Sequence, residues 1–465
     1  MPGSAAGVGA DVPPDEFAAA NLEDAAQVPD PAAAEPADGI PPEASDDIGG
    51  SDYAKRIVAR ARELRASDAF APPEPKRDDY VSAGQAIEQT RAASRTTRRW
   101  IALFALICVV AAGFSLLLPY YGIDNMGGGN IYTPTDVLAC YKLWFQVNVL
   151  PLFDSTLSGS TGQLRSQFTV DHPDVTYSLV MNRAAVTVIV MGCGILLAAS
   201  GLLFQTAFRN PIAAPSSLGV SDGVTIGCII YLMVGNTSIQ DNPLLYVALV
   251  YGCGAAAVVA VLLLSRAMSG SARYNVIDML LLGTVLCQFL GGISSYLQIF
   301  VMTDTQWYDF YDIQQAADAL TVPVIQLVVA IVFVVTFTAA MLLRFKLNLI
   351  SFTNEEGEMM GVRAGALRIG ALALGSTMQL AAIASIGQVA MLSLAVPFVV
   401  RYMMPADFRS QFLGNCLVGM AVLLICVAIQ HFAMVGYITM PVGTIVSIFI
   451  VPFFVWMMAL GKGRW

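Results

Sequence analysis

From Trp100 onward the chain alternates between apolar runs and short polar breaks. Crossing a bilayer takes about 20 residues of helix, and most of the runs reach that length. The pattern predicts spans near 100–119, 181–204, 216–234, 244–264, 276–298, 322–343, 365–386, 388–403, 411–432 and 438–460. Each must be a helix, because in lipid a span has to satisfy its own backbone groups. The longest break, about 120–180, carries Tyr120, Tyr121, Tyr132, Tyr141, Trp144, Phe145 and Phe168. It is too long for a tight turn, and its aromatic content marks it as functional rather than slack.

The first hundred residues do not share the pattern. Residues 1–50 are rich in Ala, Pro, Asp and Glu, and such a segment buries too little apolar surface to offset chain entropy, so disorder is expected. No short apolar core with a small-residue cleavage site opens the chain, so no signal peptide is read there. Over 51–67 the spacing of Tyr53, Ile57, Val58, Ala61 and Leu64 gives one apolar face among several Lys and Arg. That helix lies either on a membrane surface or in solvent. The fold class is therefore all-α: a polytopic membrane protein of about ten transmembrane helices over 98–465, behind a largely disordered polar tail over 1–97.

Composition agrees. The chain is 56% hydrophobic and 13% charged, about half the charge of a soluble domain. A net charge of −9 gives no basic face for nucleic acid. Seven of the eight Cys sit in apolar runs and none has CxxC spacing, so neither a disulfide framework nor a Cys metal site is expected. The two His, His172 and His431, fall near the predicted outer face, and His431 is read as a helix-end residue rather than a metal or haem ligand. No catalytic constellation, resident metal or cofactor is expected.

The basic residues set the orientation. Arg91, Arg95, Arg98 and Arg99 precede the first span, which places the N-terminus in the cytoplasm. With ten spans, the cytoplasmic side then collects Arg209, Arg266, Arg273, Arg344, Lys346, Arg363, Arg368, Arg401, Arg409, Lys462 and Arg464. The outside keeps only Lys142, Arg165 and Arg183. Both termini are expected in the cytoplasm.

One interruption stands out: GLLFQTAFRNPIAAPSSLGVSDGVTIG at 201–227. Pro211 forces Asn210 out of helical backbone, and Ser216 or Ser217 can cap the next helix. A cytoplasmic turn accounts for the prolines, but less well for Gln205, Pro215 and the Gly219 run together. The stretch QTAFRNPIAAPSSLGVSDG resembles the Q-x-x-x-x-NP-(L/I)-A-x-P-x-x-LG-(V/I)-x-x-G signature of the FecCD-type permeases, the membrane subunits of iron-siderophore, haem and cobalamin ABC importers. LNLISFTNEEGEMMGV (347–362), VPFVVRYMMPADFR (396–409) and MPVGTIVSIFIVPFFVWMM (440–458) are similar to three further motifs of that family, in family order, so the resemblance covers about 100–465. This sequence departs from the family pattern at Phe398 and Phe408, where His is usual, at Pro405 and Val451, where Gly is usual, and at Asn182 before Arg183.

The resemblance implies a permease subunit of the prokaryotic cell membrane that works by alternating access, with three kinds of partner. These are a separate ABC ATPase dimer, a second permease subunit of the same or a homologous chain, and an extracytoplasmic substrate-binding protein. It implies an ATPase-coupling contact at Asn354, Glu355, Glu356, Met359, Met360, Gly361 and Val362. In the residues' own terms, two adjacent Met among carboxylates fit a partner's groove better than a solvated loop. It implies a cytoplasmic gate or structural motif at Gln205, Asn210, Pro211, Pro215 and Gly219, with Gln205 read as bonding freed backbone groups. It implies binding-protein docking at Arg183, set against the plainer reading that Arg183 snorkels to the interface. No G-x-x-x-x-G-K-[ST] phosphate loop occurs, so ATP hydrolysis is expected of another polypeptide. The rivals are an ion-coupled secondary carrier and a membrane sensor or scaffold. The first is disfavoured because Asp222 and Asp278 are the only acids in or beside a span, both near cytoplasmic ends.

Overall fold

The computed structural model describes residues 83–117, 121–122, 130–131, 134–149, 161–171, 177–235, 237–268, 276–314, 322–349, 364–404, 407–432 and 440–460. Contacts sort the chain into two units, Met1–Ala83 and Gly84–Trp465, and nearly all of what is described belongs to the second. The expected tail and its helix at 51–67 lie outside the described residues.

Ten apolar helices stand where the pattern expects ten spans: α1 (Ala83–Leu117), α4 (Tyr177–Phe208), α5 (Val220–Met233), α6 (Pro243–Met268), α7 (Val276–Phe300), α9 (Pro323–Leu349), α10 (Ala364–Ile386), α11 (Ala390–Met403), α12 (Phe408–Phe432) and α13 (Val442–Leu460). α1 begins ahead of the expected boundary at 98, because AIEQTRAASRTTRR is built from good helix formers and carries no stop signal. Three short helices fill the expected outer segments. These are α2 (Pro134–Asn148), α3 (Thr161–Asp171) and α8 (Asp304–Gln314). A two-residue antiparallel pair, β1 (Tyr121–Gly122) with β2 (Asn130–Ile131), precedes α2.

Seven of the ten are long and apolar enough to cross a membrane, while the apolar stretches in α5, α11 and α13 are shorter. A 14-residue helix such as α5 or α11 rises only about 21 Å against a hydrocarbon core of about 30 Å. Turns make up the difference. α5 is preceded by a 3-10 turn at Pro215–Leu218, and α11 by residues 387–389, which are not helical. Non-helical backbone at membrane depth is tolerated only where protein lines it. Here it does, since Gln388 donates from Nε2 to Thr225 Oγ1 at 2.6 Å, and Tyr246 donates to the Ala384 carbonyl at 3.0 Å.

The core gathers around α4, which packs against α9, α10, α11 and α12. Small residues bring the backbones close, the usual means of association where lipid removes the hydrophobic drive between helices. A Cβ added to Gly194 on α4 would stand 2.6 Å from the Gly419 carbonyl oxygen on α12. The α5–α6 pair uses the same device: a Cβ on Gly223 would stand 2.7 Å from the Cys253 carbonyl oxygen.

Candidate functional site

Residues 205–219 form one compact break between α4 and α5. α4 ends in a two-bond stop: the Asn210 N–H reaches the Gln205 carbonyl at 3.2 Å and the Arg209 N–H reaches Thr206 at 3.3 Å. This 6→1 and 5→2 pair is the Schellman arrangement, which needs a left-handed residue at the position Arg209 fills. Arg209 has φ 49° and is the one non-glycine residue with positive φ among those described. For a side chain with a Cβ that conformation costs about 1–2 kcal/mol. Asn210 then accepts the Ile212 N–H on Oδ1 at 3.0 Å, a side-chain turn that carries the chain through Pro211. Pro215 opens the 3-10 turn, and Gly219, at φ 76°, closes it and starts α5.

Gln205 is fully buried and donates from Nε2 to the Leu394 carbonyl of α11 at 3.0 Å. Pro397 lies inside α11 and removes one donor from that helix's ladder in the same turn. Gln205 thus gives one donor to the backbone of α11 near that proline, at the Leu394 carbonyl rather than at residue 393, whose carbonyl loses its i+4 donor. Its Oε1 has no partner. One turn back, Gly201 lets α4 lie directly on α11, because an added Cβ would fall on the Ser393 carbonyl oxygen. The third wall is α7, whose Cys287 donates to the Ser216 carbonyl at 3.2 Å. Gln205, in the last turn of α4, thus meets α11, while the turn from Pro215 to Gly219 that follows Asn210 and Pro211 packs on α7.

A second junction joins α9 to α12 at the same basic end of the bundle. Asn348, in the last turn of α9, donates from Nδ2 to Asp407 Oδ1 at 2.9 Å and accepts the Phe408 N–H on Oδ1 at 3.0 Å. Asp407 Oδ2 accepts the N–H and hydroxyl of Ser410, at 3.3 and 3.2 Å, and so caps α12. Burial pushes the Asp407 carboxyl up, but the bonds from Asn348, Ser410 and the Arg409 backbone leave it below the usual range. Sequence reasoning placed Asn348 and Asp407 in separate motifs and did not pair them. Asn354, Glu355, Glu356, Met359, Met360, Gly361 and Val362, C-terminal to α9, lie outside the described residues, as does His172.

At the opposite end Arg183 is 9% exposed, and its Nε donates to the Ser115 carbonyl of α1 at 3.1 Å. Ser115 and Thr187 share a bond of 3.3 Å, and the Tyr141 hydroxyl of α2 donates to the Leu116 carbonyl at 3.4 Å. Burial pushes the Tyr141 phenol up, against a smaller opposing pull from Arg183. Arg183 therefore does not stand as an exposed rim charge. α2, which no sequence pattern announced, lies against the end of α1 and against α4 beside it. The residues that α2 exposes include Leu138, Lys142, Trp144 and Phe145.

α7 has the least cover of the seven long spans: 11% of its most apolar stretch is buried, against 22% for α1 and α9. Its exposed positions include Gln288, Ser295 and Tyr296 beside Leu281, Val285 and Phe289.

A family model described as the FecCD transport family matches residues 149–459. Among curated proteins, the chain is 27% identical to a "Probable iron chelatin transport system permease protein" of Helicobacter pylori, over 58% of this chain and 78% of that protein. It is 25% identical to the iron-uptake system permease protein FeuB of Bacillus subtilis, over 63% of this chain and 84% of that one. It is 27% identical to the hemin transport system permease protein HmuU of Yersinia pestis, over 58% and 78%. Among solved structures, a transporter assigned to the metal-chelate ABC type, in an inward-facing conformation, aligns with a TM-score of 0.58 at 18% identity. That alignment covers 78% of this chain and 99% of the other, and it bears on the fold alone.

Proposed function

The chain belongs to the FecCD transport family, and on that premise we propose that it is the membrane-spanning subunit of an ATP-driven importer for an iron chelate or haem. The observation that carries this reading is the family match across 149–459, which takes in nine of the ten apolar helices and both junctions at the basic end. The named substrates of its relatives, iron chelatin and hemin, supply the cargo class. In this reading the chain pairs with a second permease, and the lightly covered face of α7 with Gln288, Ser295 and Tyr296 lies on the shared path rather than in lipid. ATP is hydrolysed by separate subunits. They engage Met359, Met360 and Gly361, with Glu355 and Glu356 at the rim.

The clasp of Asn348 on Asp407 gives that engagement a route. A pull on the segment after α9 bears on the start of α12, and α12 is close-packed on α4. Both termini face the cytoplasm of a prokaryotic cell, and an extracytoplasmic binding protein meets the opposite end, where α2 offers Trp144 and Phe145. The test is reconstitution in proteoliposomes with the neighbouring ATPase and binding protein and a panel of ferric siderophores and haem. ATP-dependent uptake of one class is expected. Uptake driven instead by an imposed proton or sodium gradient without ATP would overturn the reading.

A further inference from the structure

At the basic end one guanidinium, that of Arg368, has donors without an acceptor, and a second lies within electrostatic range of it. Arg368, in the second turn of α10, is partly buried, and its Nε and Nη2 are shut off from solvent without a hydrogen-bond partner. Arg209 lies within electrostatic range of it. Buried donors of a charged group cost free energy when left unmade, and a second positive charge alongside adds to that cost. On the neighbouring α9, Arg344 repeats the pattern with a buried, unpartnered Nε.

The backbone does not explain the residue at 209 either. The helix stop needs only a left-handed residue, which glycine provides without strain. An arginine kept in that position is kept for its side chain. Three residues on, Ile212 is 60% exposed, so a cation and an apolar side chain stand together on the same turn at the end of a span.

We propose that Arg209 and Arg368 form a binding site for a phosphate group, carried by an anionic lipid at this face of the membrane or present as the free ion. The guanidinium fork matches phosphate oxygens two at a time, and an anion between the groups removes both the orphaned donors and the repulsion.

The full-length protein is titrated in neutral detergent with phosphatidylglycerol, with phosphatidylcholine and with inorganic phosphate, reading Tm and, by native mass spectrometry, the lipid retained. Phosphatidylglycerol raises Tm and stays bound, and phosphatidylcholine does neither. Arg368→Gln weakens that binding about tenfold or more, the effect of losing charge-assisted bonds. Arg209→Gly covers the case in which Arg368→Gln fails to fold. It raises Tm without lipid, because the left-handed strain is relieved, yet weakens lipid binding; general loss of structure cannot produce these opposite signs.

An equal shift with inorganic phosphate assigns the site to the free ion. No shift with phosphate, alongside one with phosphatidylglycerol, assigns it to lipid. Phosphatidylglycerol shifts that are the same in both variants as in the wild type overturn the site. So does a wild type indifferent to both probes, including one whose Arg368→Gln variant loses only its association with the ATPase, since the donors then serve a protein carboxylate.

Discussion

α4 and α7 are both long apolar helices, yet 67% of the most apolar stretch of one is buried and 11% of the other. Hydropathy alone does not separate them usefully, because lipid and protein interior reward the same side chains. What separates them is where small and polar residues fall. α4 sets Gly194 and Gly201 against neighbouring backbones and buries Ser200 and Gln205, each hydrogen-bonded to another helix or to its own. α7 is fixed at one end, where a Cβ on Gly283 would fall on the Ser217 carbonyl oxygen, and exposes polar groups beyond it. One helix is the centre of this chain, and the other leaves most of its surface uncovered within it.

The largest effect should come from putting a side chain into the centre. Gly201→Leu forces α4 off α11, with no flexible side chain to give way, and should cost more than about 4 kcal/mol. The expected outcome is loss of folded protein in size-exclusion chromatography. The matched change on α7 is Gly292→Leu, where an added Cβ meets nothing within 4 Å. Yield and Tm should hold. Overpacking against whatever covers α7 in the assembly, at about 1–3 kcal/mol, should lower transport or pairing of permeases about tenfold. Wild-type transport from Gly292→Leu would mean that this face of α7 meets only lipid.

Much of this was legible in the residues. The ten apolar helices and the break between α4 and α5 came from run length, proline placement and motif spacing. The hub was not legible, since nothing in a run of apolar residues says which neighbour a glycine will touch. Nor was the fate of Arg183: the pattern marked a basic residue at the head of a span but could not foresee that α2 would fold over it. The Asn348–Asp407 pair escaped because its members stand 59 positions apart and each made sense within its own motif.

The clasp at the basic end tests how the central helices are tied to the segment after α9. Asp407→Asn removes a capping carboxylate and weakens the Asn348 bond, a loss of about 1–2 kcal/mol. The pH dependence carries the sign. The folded carboxyl titrates below its unfolded value, so its contribution is complete above the unfolded pKa and disappears as pH falls through the folded one. Thermal melts from pH 7 into the acid range should show wild type losing its advantage over Asp407→Asn, the two curves converging at low pH. Asn348→Asp sets two carboxylates face to face and should instead narrow the gap between stimulated and basal ATPase activity in the assembled complex. An equal fall in both activities would reduce the clasp to a structural cap.

The smallest single effect belongs to Tyr141, at the far end where α1, α2 and α4 meet. Tyr141→Phe removes a hydroxyl whose bond to the Leu116 carbonyl is long at 3.4 Å, and the phenol is only partly buried, so about 0.5 kcal/mol is at stake. Arg183→Gln removes a shorter bond from a more deeply buried group and should cost more, about 1.5 kcal/mol or above. The two residues share a junction, so the double variant should fall short of the sum. A buried brace and a docking charge differ in one measurable way. Losing a brace lowers Tm and leaves the salt dependence of binding-protein association alone, whereas losing a rim charge flattens that dependence and spares Tm. The contact with Ser115 predicts the first result for Arg183→Gln, and the second would return this residue to the outer surface.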